Sequence, residues 1–143
     1  MSVGAWEPTQ PASNDQLRKD IDRELLSRII DALQESDEGK TPGTAAPELE
    51  TLDSSLTSAS WLSLLPSAQW LDEAKHWSGE QLWALIRFFT LAETQLQGWQ
   101  GGAGSPVIPL AKSLRLRKSP LTREQLLWIR QHSDNRYLPY GPL

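Results

Sequence analysis

The chain has 143 residues, a net charge of −4, 22% charged and 38% hydrophobic residues, and no cysteine. That is room for one domain of ordinary size, or a smaller one with a tail. It excludes a disulfide framework and a thiolate zinc site, both of which need cysteine, and Arg87 interrupts the best candidate for a membrane span of about 18 apolar residues.

The charge is unevenly spread. Residues 1–60 hold five basic and twelve acidic residues, whereas residues 112–143 hold seven basic and two acidic. An acidic front and a basic back can attract one another or face different partners.

Residues 1–12 contain proline and have no hydrophobic period, so they are expected to be disordered. They lack the basic start and apolar core of a signal peptide, which makes the cytoplasm the expected location. Residues 13–36 read as an amphipathic helix. Ser13 and Gln16 have capping-box spacing, and Ile21, Leu25, Leu26, Ile29, Ile30 and Leu33 recur on one half of the helical wheel. Residues 37–55 are rich in proline, glycine and small residues and have no period, which predicts a flexible linker. The front helix is therefore expected to be tethered, and to dock on a partner, on a second copy or back on the body.

Residues 56–143 form the expected helical body. Ser60–Leu65 predicts one helical turn ended by Pro66, and Ser67–Trp77 a short helix. Ser78 with Gln81 caps a central helix that runs to Gln97, and Gly98 is its expected C-cap. Ser105-Pro106 opens the next helix, and Thr122 with Gln125 caps a last one over Arg123–His132. The tail from Arg136 is aromatic and proline-stiffened, so it is expected to pack on the body. The predicted fold is all-α: a small orthogonal or irregular bundle of about five helices with a tethered front helix.

Candidate chemistry is sparse. Glu93 falls on the apolar arc of the central helix, where a carboxylate needs a partner. The expectation is a structural ion pair or hydrogen bond to a basic residue of the C-terminal part, Arg130 or Arg136, with general acid–base catalysis or simple exposure to water as the alternatives. His132-Ser133-Asp134 holds the letters of a hydrolase triad, but consecutive residues cannot converge as a triad does. Asp72 and His76 stand four apart on one helix face without a third metal ligand. Gly98–Ser105 precedes a helix but lacks the Lys-Ser/Thr of a phosphate-binding loop. No cofactor, metal or small-molecule substrate is expected.

Arg115, Arg117, Lys118, Arg123, Arg130 and Arg136, with Trp128, Tyr137 and Tyr140 near them in sequence, are candidate nucleic-acid contacts. Trp83, Trp99 and Trp128, together with the apolar stripe of the front helix, are candidate protein contacts, because exposed tryptophans often anchor interfaces. An aromatic-rich core is the competing account of the same tryptophans. The functional expectation is a non-enzymatic protein–protein interaction module or regulatory adaptor, or alternatively a small regulator associated with RNA or DNA.

Overall fold

A computed structural model of the chain describes residues 21–39 and 43–140. The expected disordered start and the Ser13/Gln16 capping box lie outside these residues. Among the described residues there are six α-helices and no strand: α1 (Arg23–Ser36), α2 (Ser54–Thr57), α3 (Ser67–Ala74), α4 (Gly79–Gln95), α5 (Val107–Leu116) and α6 (Arg123–His132). Single 3-10 turns at Leu49–Thr51, Ser60–Leu64 and Gly102–Gly104 join them.

Helix α4 is the element around which the others assemble. Its N-terminus carries both halves of the expected capping box: the Gln81 N–H donates to Ser78 Oγ at 3.1 Å, and the Ser78 N–H to Gln81 Oε1 at 2.8 Å. Residues 82–92 are all buried, so α4 is enclosed on every side and not along one arc. Helices α1, α5 and α6 pack on it, and α3 packs on α5 while setting Trp70 edge-on to Phe89 of α4, ring centroids 5.3 Å apart. Phe88 and Phe89 continue this cluster to Trp99. The helix stops at Gln95 because Leu96 turns extended; Gly98, expected as the C-cap, instead serves the following turn with φ +85°.

Residues 13–20 of the expected front helix lie outside the described residues. Asp22 is extended, and its carboxylate accepts the Leu25 N–H at 3.2 Å, so the described helix begins at Arg23. Its apolar stripe, Leu25, Leu26, Ile29, Ile30 and Leu33, is buried against α4, and Ile21 packs at the edge of the same core. Two exposed arginines pin its outer side: Arg23 Nε lies 2.8 Å from Glu73 of α3, and Arg28 Nη2 lies 3.0 Å from Asp53.

The stretch after α1, expected to be a free linker, is held to the body along most of its described length. The indole N–H of Trp83 donates to the Gly43 carbonyl at 2.9 Å, and that of Trp128 to the Thr44 carbonyl at 3.1 Å. Gln95 receives the Leu49 N–H at 2.7 Å and donates to the Pro47 carbonyl at 3.2 Å. Ala45 and Leu49 are buried. Composition suggested mobility because the segment has little apolar periodicity. Its anchors are backbone groups, which every residue type has.

Gly43 is the tightest point of this strap. Its φ is +78°, and a β-carbon there would lie 2.9 Å from Trp83 Nε1. Gly43→Ala is therefore expected to destabilise the fold by about 1–2 kcal/mol. Urea denaturation followed by tryptophan fluorescence measures it, and an unchanged midpoint would mean that the strap does not hold this close approach.

Candidate functional site

Three polar features stand out: a buried ion pair on α4, a small cleft at its C-terminal end, and the exposed cations of α5 and α6.

The ion pair involves Arg87, 1% exposed within the buried run of α4. Its two terminal nitrogens meet the two carboxylate oxygens of Asp37, each at 2.9 Å, and Nη1 also reaches the Ala45 carbonyl at 3.3 Å. The guanidinium lies 5.8 Å from the centroid of the Trp83 ring. Arg87 Nε is buried without a hydrogen-bond partner among the described residues. Burial alone would push Asp37 upward. The Arg87 hydrogen bonds, the Ala45 N–H, the Arg87 charge and the Gly43 N–H together outweigh it and hold the carboxyl below its ordinary range. This fork-on-fork geometry is the strongest form of a carboxylate–guanidinium pair. It joins the end of α1 to the middle of α4, and it belongs to the scaffold. The signal that could have found it was the lone arginine in the most apolar run of the chain.

A second buried carboxylate, Glu73, takes both Arg23 Nε and the Trp77 indole N–H at 3.1 Å on one oxygen. It too is a clamp, between α1 and α3.

The cleft, about 410 Å³, is lined by Glu93, Thr94, Gln100, Gly102 and residues 133–135. Glu93 is half-buried, but its partner is not the expected arginine. Glu93 Oε1 accepts from Asn135 Nδ2 at 2.9 Å, and the same amide nitrogen donates to the Gly102 carbonyl at 3.0 Å. Arg130 and Arg136 are exposed and form no ion pair with it. Asn135 wins because its side chain joins α4, the glycine turn and the tail at once, its Oδ1 accepting the Tyr137 N–H at 2.9 Å. Glu93 Oε2 is buried without a hydrogen-bond partner among the described residues. The neighbouring Ser133 Oγ accepts the Asn135 N–H at 3.0 Å, and His132 Nδ1 sits 2.7 Å from the Trp128 carbonyl. His132 and Ser133 are thus engaged in the turn that ends α6, where sequence spacing placed them. Asp72 pairs with Lys75 at 3.7 Å, and no group of three potential metal ligands exists among the described residues.

The tryptophans proposed as surface anchors lie inside. Trp83, Trp99 and Trp128 are buried, Trp83 edge-on to Trp128 at 5.5 Å. Each indole N–H goes to a backbone carbonyl, that of Trp99 to Thr57 at 3.1 Å. Burying the ring while giving the N–H a partner is how a tryptophan satisfies a core position.

The basic surface is only partly free. Arg117 donates to the Ala74 carbonyl at 2.8 Å and to the Trp77 carbonyl at 3.0 Å, closing the C-terminal end of α3. Arg115 lies over Tyr140 at 4.5 Å and Arg136 over Tyr137 at 5.5 Å. Lys112, Arg115, Lys118, Arg123, Arg130 and Arg136 are exposed and form no ion pair among the described residues. Two leucines stand among them: Leu116, 73% exposed, four residues after Lys112, and Leu127, 50% exposed, between Arg123 and Arg130.

No helix among the described residues is long and apolar enough to cross a membrane. No family model matches the chain, and no curated protein or solved structure is significantly similar to it.

Proposed function

We propose that the chain is a non-enzymatic interaction module whose partner-facing surface is the solvent side of α5 and α6. The observation that carries this reading is the pair of exposed leucines, Leu116 and Leu127, each set among cations without an ion-pair partner. A single exposed leucine is ordinary. Two of them on successive helices, each beside cations that the fold leaves unpaired, offer both halves of a binding surface: apolar contact and charge.

The front helix serves the scaffold in this reading. Docking its apolar stripe on a partner would require lifting five buried aliphatic side chains from α4. The test is co-purification with mass spectrometry after nuclease treatment, comparing the wild type with Leu116→Ser/Leu127→Ser. Both substituted side chains are exposed, so folding stability is expected to change by less than about 0.5 kcal/mol. The double variant is expected to lose its partners; an identical partner set in both would refute the surface.

The excess of seven basic over two acidic residues in 112–143 favours nucleic acid as a second reading. It calls for binding of a single-stranded oligonucleotide that weakens steeply with salt and with Arg115→Ala or Arg123→Ala. The aromatics speak against it: Trp128 is buried, and Tyr137 and Tyr140 are half-buried beside guanidinium groups, so no free ring flanks the cations to stack on bases.

A further inference from the structure

Resting on the reading of α5 and α6 as the contact surface, we infer that the α6 stripe Arg123–Leu127–Arg130 seats an acidic amphipathic helix of a protein partner. The partner helix carries two carboxylates two turns apart with one apolar side chain between them.

The stripe has a definite geometry. Arg123 and Arg130 are seven residues apart in one helix, about 10.5 Å along its axis and within about 20° of one another around it. Leu127 stands between them on the same face, and all three are exposed. Arg123 is also the first residue of α6, at the positive end of the helix dipole, which the Thr122–Gln125 capping box and Glu124 partly offset. Guanidinium groups take carboxylates in a paired, planar fashion that lysine does not reproduce. Leu127 between them requires an apolar neighbour if the arginines are to be desolvated.

Other occupants fit less well. A phosphate backbone has no apolar side chain to cover Leu127. A second copy of this chain would have to offer its own acidic face. Glu24 and Asp31 on the exposed side of α1 do have the same seven-residue spacing, but the residue between them is Arg28, held by Asp53. That contact would drive a cation against Leu127 between two arginines. Complementarity therefore selects a partner with Leu, Ile or Met in the middle position.

The test uses the full chain and defined probes. A helical peptide with Glu-x-x-x-Leu-x-x-Glu on one face is compared with a permuted peptide of equal composition whose leucine lies on the opposite face. A Lys-for-Glu peptide, a single-stranded oligonucleotide and phosphatidylserine-containing vesicles complete the set. Binding is followed by calorimetry and by amide chemical shifts in α6, with thermal melts showing that each variant is folded. The matched peptide is expected to bind at least tenfold more tightly than the permuted one. Leu127→Ser is expected to erase that difference, and Arg123→Glu/Arg130→Glu to reject the matched peptide while accepting the Lys peptide. Equal affinity for matched and permuted peptides, absence of peptide binding, or preferential binding of oligonucleotide or vesicles through the same arginines would each overturn the inference. If Leu116 and Leu127 still govern partner capture while the matched peptide shows no preference, the surface stands and the partner class is wrong. If neither depends on them, the reading of the surface itself fails.

Discussion

A chain starting at residue 37 is expected to lose its cooperative unfolding transition. Five aliphatic side chains of α1 are buried against the body, and each fully buried one contributes about 1.5–3 kcal/mol. The whole stability of a small domain is about 5–15 kcal/mol. Removing α1 also exposes one flank of α4, which has no polar side to turn outward over residues 82–92 except Arg87 and Thr90. Glu73 loses Arg23 and keeps only the Trp77 N–H. Near-UV circular dichroism against temperature is the measurement. A sharp transition at the full-length midpoint would show that the front helix is an appendage after all. A milder version keeps the chain intact: Ile29→Ala is expected to cost about 2–5 kcal/mol, as for other fully buried aliphatic side chains cut to alanine.

Arg87→Ala is expected to destabilise by about 3–5 kcal/mol, because it strands Asp37 in a largely buried site. Arg87→Met combined with Asp37→Leu is expected to cost much less, since no charge is then left unpaired. Equal losses in the single and double variants would refute the stranded Asp37 charge as the source of the loss. The same pair sets an acid limit. The folded-state pKa of Asp37 lies below its unfolded value of about 3.9. Its ionised form therefore stabilises the fold fully above about pH 4, and that contribution is lost as pH falls through the depressed folded pKa. Urea midpoints measured from pH 6 down to pH 2 should fall in the wild type. The fall should be shallower in the Met/Leu double variant.

The parts of this fold that were legible in the sequence are those with local chemistry. The Ser78/Gln81 and Thr122/Gln125 boxes act within four residues, and both helix starts are where those residues place them. The strap was illegible because its acceptors are backbone carbonyls at residues 43–45 and 47, and their donors, Trp83, Arg87, Gln95 and Trp128, lie at least 40 residues away. The tryptophans misled for a related reason. An indole ring suits an interface and a core equally well, and the choice turns on whether a distant carbonyl accepts its N–H. Arg117 shows the same on the surface: its sequence neighbours advertise a basic patch, while its guanidinium closes the end of α3. Glu93 was correctly marked as needing a partner, but an amide joining three segments satisfied it where an arginine was expected.

The hydrogen bond from Trp128 to Thr44 spans 84 residues of sequence, and the Asp37–Arg87 pair spans 50. Closing loops of that size costs chain entropy before any contact repays it. Contacts between α4 and α5 are far more local. Folding is thus expected to assemble the second half first and lay the strap down late, over tryptophans that are already in place. Substitutions in the strap should then speed unfolding and leave the folding rate nearly untouched. The strap would govern how long the folded molecule lasts, and the helices behind it how fast it forms.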